Sequence, residues 1–126
     1  MTLLYKPSKI RSHLDPEQKE RYIARPTKRI IVDQDAIGDL LAMRSTVSPE
    51  DVSLVLNGLR HVMMDLLGDN HIIHLPGFGI FGTAFKSEVA DTPDGITYRS
   101  VKDIKLTFRP DPWMKRKMKE FVVRKG

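Results

Sequence analysis

The sequence predicts an α+β fold, and three observations carry that prediction. Between Asp33 and Gly68 apolar residues recur at three- and four-residue steps, the period of a helix. From His71 to Arg109 the pattern changes to alternation broken by Pro and Gly, the period of strands. Asp111-Pro112 then opens a further helical segment. A chain of 126 residues fits one domain, with room for an appended arm or tail. With 40% hydrophobic residues the core is modest, and a chain this size often completes its core with a second copy.

The first 32 residues show no helical periodicity. Leu3 to Arg11 and Arg21 to Val32 are strand-like and flank a polar break at Ser12-His13-Leu14-Asp15-Pro16-Glu17. Pro7 and Pro26 cannot donate ladder hydrogen bonds, so both segments suit sheet edges. Residues 1–32 therefore read as an extension that packs an irregular strand pair on the main body, residues 33–126.

Asp33 is placed to cap the first helix, and Asp35 adds negative charge at its positive end. Ile37, Leu40 and Leu41 form its apolar stripe, which continues to Arg44. Ser48-Pro49-Glu50-Asp51 is the clearest start signal in the chain, with a capping hydroxyl, a proline at the first helical position and acids in the first turn. Val52, Val55, Leu56, Leu59, Val62, Met63 and Leu66 follow on one face, a stripe that one small sheet can hardly cover. Gly68 is the expected left-handed cap. Ser45-Thr46-Val47 joins the two helices into a hairpin.

His71 to Leu75 is a short strand, and Pro76-Gly77 turns the chain. Phe78 to Phe85 and Asp103 to Arg109 are the second and third strands, with Ile104, Leu106 and Phe108 facing one way and Lys105, Thr107 and Arg109 the other. Lys86 to Val101 reads as a polar, two-stranded excursion turning at Thr92-Pro93-Asp94-Gly95. In the last helix Met114, Met118 and Phe121 form the buried side, leaving Lys115, Lys117 and Lys119 mostly outside. Trp113 opens that helix as a core residue, a partner contact or a base stack.

Charge is unevenly spread. Residues 1–32 hold eight Lys/Arg against three Asp/Glu, and residues 101–126 hold nine against three. Residues 33–70 hold two against seven, so two basic ends flank an acidic middle. Clustered Lys and Arg are the electrostatic footprint of a phosphate backbone, although solvated surfaces also carry such charges. With no cysteine there is neither a disulfide framework nor a thiolate metal site. No apolar run approaches roughly 18 residues, and Met1 to Lys9 has no apolar segment of signal-peptide length, so a cytoplasmic protein is expected.

Several motifs carry less than they suggest. Gly77 to Gly82 satisfies the spacing of a dinucleotide loop, but Thr83-Ala84-Phe85-Lys86 continues as strand where that site needs a helix. Asp69, His71 and His74 lack a fourth ligand, and residues three apart on a strand face opposite ways. His61 flanks the helix stripe, and Ser45, Ser48 and Ser53 sit at helix starts, where capping accounts for them. No nucleophile–base–acid set emerges, so no catalysis, cofactor, metal or small-molecule substrate is expected.

Leu75-Pro76-Gly77-Phe78-Gly79-Ile80-Phe81 and Ile104-Lys105-Leu106-Thr107-Phe108-Arg109-Pro110 resemble the two signature stretches of the HU and integration-host-factor family: its Gly-Phe-Gly-x-Phe, and its strand ending in Phe-Lys/Arg-Pro-Gly before the final helix. The order helix, helix, strand, strand, protruding hairpin, strand, helix is similar too, over about residues 33–122. The extension resembles that of a divergent HU-related branch. The resemblance implies an intertwined dimer, with itself or a related HU-like subunit, whose cores meet through Leu56, Leu59, Phe78, Phe81 and Phe108. It implies paired β-arms over about residues 86–101, with Pro93 near the tip, and double-stranded DNA as partner, held without sequence specificity in the nucleoid. DNA-contacting residues would be Lys86, Arg99, Lys102, Lys105, Arg109, Lys115 and Lys119. The arm departs from the family in charge, with Glu88, Asp91 and Asp94 against Lys86 and Arg99, and Pro112 replaces the basic residue that opens the family's last helix. The expectation is therefore backbone binding by the body rather than intercalation by the arm. The rival expectation is an HU-like structural or protein-interaction module with weak or no DNA binding.

Overall fold

The computed structural model describes residues 1–11, 17 and 19–126, so most of the polar break expected at Ser12–Glu17 lies outside the described residues. The chain divides into two compact units. One comprises Met1–Asp33 with Lys117–Gly126, and the other Gln34–Arg116.

The first unit is a three-stranded sheet. β1 (Thr2–Ile10) pairs antiparallel with β2 (Arg21–Pro26) and parallel with a strand from the other end of the chain, so the order is β2-β1-β6. That sixth strand, β6 (Val122–Lys125), extends the strand pair expected from the first 32 residues into a sheet. The sequence hid it because Val122-Val123 is only two β-branched residues in a basic tail. Pro7 lies in the central strand, yet beyond Thr2–Tyr5, the stretch that β6 covers. Pro26 ends the edge strand β2.

The second unit holds α1 (Gln34–Arg44), α2 (Pro49–Gly68), β3 (Ile73–Leu75), β4 (Gly79–Ser87), β5 (Val101–Pro110) and the start of α3 (Pro112–Met118). α2 begins as its sequence dictates. The Ser48 hydroxyl accepts the Asp51 N–H at 3.1 Å, Pro49 occupies the first turn, and Glu50 and Asp51 face the positive end of the dipole. Such a cap contributes about 1 kcal/mol.

The end of α2 corrects the sequence reading. Gly68 is the last helical residue, and the left-handed position falls at Asn70, φ +67°. Two bonds close the end, His71 N–H to Leu66 O at 3.1 Å and Asn70 N–H to Leu67 O at 3.3 Å. This is a Schellman motif with Asn in place of Gly, the residue that tolerates that conformation next best.

Packing within this unit also redistributes the expected stripes. Val52, Leu56, Leu59, Met63 and Leu67 form the more covered line of α2, and only Val52 and Leu67 are buried. Val55 and Val62, from the same predicted stripe, are 63% and 53% exposed. The buried residue of α1 is Gly38, close to Pro49, while Ile37, Leu40 and Leu41 stay largely exposed. The Gln34 amide donates to the Ser53 hydroxyl at 3.0 Å and ties the two helices at their starts.

β3, β4 and β5 form an antiparallel sheet in that order. The two-stranded arm expected over residues 86–101 does not form. Strand pairing stops at Ser87–Val101, and the intervening residues make two single 3-10 turns, Pro93–Gly95 and Tyr98–Ser100. The cause is local: Thr97 and Ser100 exchange side-chain hydrogen bonds in a capping box, which closes the loop rather than extending it. Pro93 opens the first turn instead of crowning a ribbon.

One carboxylate fastens the turn between β3 and β4 to the start of α3. Asp111 accepts the Gly77 N–H at 2.9 Å and faces His74 Nε2 at 3.0 Å, while its own N–H donates to Phe78 O at 2.9 Å. Gly77 sits at φ +86°, which only glycine adopts freely. The hydrogen bond from His74, then that from the Gly77 amide, holds the Asp111 carboxyl below the ordinary carboxylate range, although partial burial pushes the other way. Asp111 precedes the last helix as expected, but its carboxylate is engaged by the turn. α3 also ends sooner than expected, at Met118, leaving Phe121 half-buried outside the helix.

Two predictions follow from this packing. A Cβ on Gly79 would lie inside contact distance of the Arg109 carbonyl oxygen and 2.6 Å from a Phe108 ring carbon, so Gly79→Ala should cost about 1–3 kcal/mol in urea unfolding. An unchanged unfolding midpoint would show that β4 and β5 are less closely held. Because folding lowers the Asp111 pKa, its contribution is present above the unfolded value and is lost as pH falls through the folded one. Thermal melts of Asp111→Asn should therefore fall below wild type at neutral pH, with the gap closing in acid.

Candidate nucleic-acid interface

The register of β4 against β5 sorts two chemistries onto two faces. On one face Phe81 lies opposite Phe108, Thr83 opposite Leu106 and Phe85 opposite Ile104. The Phe81 and Phe108 rings sit 4.8 Å apart at 33°, within the range of favourable aromatic pairs. On the other face Ile80 lies opposite Arg109, Gly82 opposite Thr107, Ala84 opposite Lys105 and Lys86 opposite Asp103. The alternation read from Ile104 to Arg109 holds throughout.

The middle of the second face is open because two of its β4 residues are small. Gly82 and Ala84 leave the Thr107 and Lys105 side chains unscreened, and Lys86, Lys105 and Arg109 are all exposed. His74 joins this face opposite Ile80, held by Asp111. Asp103 is the acid that β5 places on it, and its carboxylate accepts the Ile104 N–H at 2.9 Å.

The other cations singled out from the sequence lie elsewhere. Pairing steps from Lys86–Asp103 to Ser87–Val101, which leaves Lys102 as the extra residue of a bulge, with its ammonium 2.8 Å from Glu88. Both partners are about half exposed, so this pair contributes little and exchanges readily for another anion. Arg99 folds over its neighbour, with Nε 3.1 Å from the Tyr98 hydroxyl and its guanidinium 5.6 Å from that ring's centre. Lys115 is exposed on α3, while Lys119 follows that helix and belongs to the terminal unit. The structure thus brings Lys86, Lys105 and Arg109 together and disperses Arg99, Lys102, Lys115 and Lys119.

The apolar face tells a complementary story. Leu56, Leu59 and Phe81 are half-buried, and Phe78 and Phe108 remain 56% and 50% exposed. Leu56, Leu59, Phe78 and Phe81, with Met63 and Leu75, border an open apolar depression between α2 and the sheet. Trp113 is 49% exposed. Among the described residues no group of three or more His, Cys, Asp or Glu side chains could hold a metal ion, and no helix is long and apolar enough to cross a membrane. The residue that sequence reasoning missed is Asp111. Its only signal was that Asp-Pro follows the strand directly, with no spare residue to cap the helix separately.

Among solved structures the chain is similar to a protein from Bacteroides vulgatus ATCC 8482, provisionally named a bacterial DNA-binding protein. The TM-score is 0.70 at 13% identity, covering 98% of this chain and 47% of that one. The chain spans about half the length of the protein it matches, and at this identity the likeness shows the fold. No curated protein matches the chain. The model of the HU-HIG family, described as an HU domain fused to wHTH, Ig, or glycine-rich motif, matches residues 1–125. With a match over nearly its whole length and an HU-like α+β fold, the chain belongs to the HU-HIG family.

Proposed function

We propose that this chain is a dimeric, non-catalytic protein that holds duplex DNA without sequence specificity, in an architectural role on the nucleoid. The observation that carries this reading is the β4–β5 face that bears the exposed Lys86, Lys105 and Arg109, with Ala84 opposite Lys105 and Gly82 opposite Thr107. Long cations on an open sheet face can reach phosphates, contacts that carry no sequence information. The name of the similar Bacteroides vulgatus protein and the family's HU domain support the same reading. Binding of this kind comes from counterion release and is blind to sequence.

The half-exposed apolar depression supports pairing with a second copy or a related HU-like subunit. Ile37, Leu40, Leu41, Val55 and Val62 leave an apolar area that one chain does not cover. The reading of residues 1–32 as an extension and 33–126 as an HU-like body stays a proposal, amended so that Lys117–Gly126 goes with the extension and Gln34–Arg116 is the HU-like unit.

A second reading, an HU-like structural or protein-interaction module, is favoured by one observation. Glu88, Asp91 and Asp94 put three carboxylates in the loop where a DNA-gripping arm would carry cations. Intercalation at Pro93 is accordingly no part of the first reading.

Fluorescence anisotropy on a random-sequence duplex separates the two. Lys105→Ala with Arg109→Ala should weaken binding on the order of tenfold, by removing two phosphate contacts. Pro93→Ala should change it less than about twofold, since the loop places no wedge in a groove. No binding by wild type at low salt would favour the second reading. For pairing, Val62→Asp is diagnostic, because Val62 is 53% exposed in a single chain and the substitution is harmless to a monomer. Light scattering should show wild type as a dimer and Val62→Asp shifted to monomer, as an unpaired charge buried at the interface requires. A wild type that stays monomeric at high concentration would refute the dimer.

A further inference from the structure

The terminal unit is far more basic than the HU-like one. Met1–Asp33 with Lys117–Gly126 holds twelve Lys/Arg against five Asp/Glu, a net +7, while Gln34–Arg116 holds nine against eleven, a net −2. Register concentrates part of that charge on one side of the sheet. Lys6 of β1 lies directly opposite Arg25 of β2, and Arg124 of β6 lies opposite Leu4, two residues along the same face of β1. The patch is about 10 Å across on strand spacings.

Like charges directly opposite in an antiparallel pair destabilise it. None of Lys6, Arg25 and Arg124 has an ion-pair partner among the described residues. Nearby acids are engaged with other cations: Glu20 with Lys9 at 3.3 Å and Arg11 at 3.5 Å, and Glu17 with Lys19 at 2.8 Å. Tyr5 and Tyr22 belong to the other face, with Pro7 and Pro26, so the cationic face carries no ring on which a base could stack. Single-strand sites interleave such rings with cations. Cations without rings, in excess and in mutual repulsion, suit the backbone of a duplex.

We propose that the Lys6–Arg25–Arg124 face of the terminal sheet is a second site for duplex DNA, contacting phosphates independently of the β4–β5 face. It rests on the reading of this chain as a DNA-binding protein, and it gives the extension a task. A bound phosphate relieves the Lys6–Arg25 repulsion, so binding and folding of this small sheet reinforce each other.

The test uses the full chain and anisotropy of a labelled random-sequence duplex across a salt series. Replacing Lys6, Arg25 and Arg124 together by Ala should weaken binding on the order of tenfold and lower the slope of log K against log salt by about 2 to 3. Thermal stability should be unchanged or higher. Lys6→Glu guards against misfolding of the triple variant, since it sets an acid opposite Arg25; it should stabilise the sheet and still weaken binding severalfold. If both variants bind as wild type does, the proposal is overturned. It is also overturned if polyglutamate of matched charge competes as well as duplex, which would assign the face to an acidic protein. Loss of binding only in the Lys105/Arg109 variant would sink this site and keep the sheet-face reading. Loss only in the terminal-sheet variants would do the reverse.

Discussion

The unit Gln34–Arg116 depends on the register between β4 and β5. Side chains alternate with a period of two, so a slip of one residue would exchange Phe108 for Arg109 and Leu106 for Lys105 across the sheet. Three contacts hold the register in place. Gly79 passes so close to Arg109 and Phe108 that no larger residue fits, the Phe81 and Phe108 rings meet at 4.8 Å, and Asp111 pins the end of the ladder to the Gly77 turn. The bulge at Lys102 then ends the ladder. Apolar core and cationic surface are therefore two products of one constraint.

Where local chemistry and long-range packing agree, the sequence was a sufficient guide. Ser48-Pro49-Glu50-Asp51 starts α2 as written, and the alternation from Ile104 to Arg109 assigns each side chain to its face. The sequence misled where two local signals competed. Gly68 is the better left-handed former in isolation, but the helix runs two residues beyond the predicted stripe, with Leu67 buried, and the cap passes to Asn70. In the expected arm, analogy supplied a ribbon, whereas Thr97 and Ser100 supply a capping box that closes the loop. β6 was invisible for a different reason: Val122 and Val123 become a strand only because β1 offers them an edge.

Charge is arranged within each unit more than it is accumulated overall. A formal +5 conceals a terminal unit at +7 and a second unit, Gln34–Arg116, at −2. In the second, cations act by position, because the alternation places Lys86, Lys105 and Arg109 on one face while acids gather on α1, α2 and the 88–100 loop. An open sheet face with a few well-placed cations suits phosphate contacts that fix position and carry no sequence information.

The central claim is that strand alternation separates a phosphate-facing surface from an apolar one. An NMR titration with short random-sequence duplex tests it most directly, because Lys105, Thr107 and Arg109 interleave with Ile104, Leu106 and Phe108 along one strand. The account predicts that side-chain signals of Lys86, Lys105 and Arg109 shift on addition of duplex and return as salt is raised. Those of Leu106 and Phe108 should stay in place. Shifts confined to Phe78, Leu106 and Phe108, or to the loop around Pro93, would contradict it.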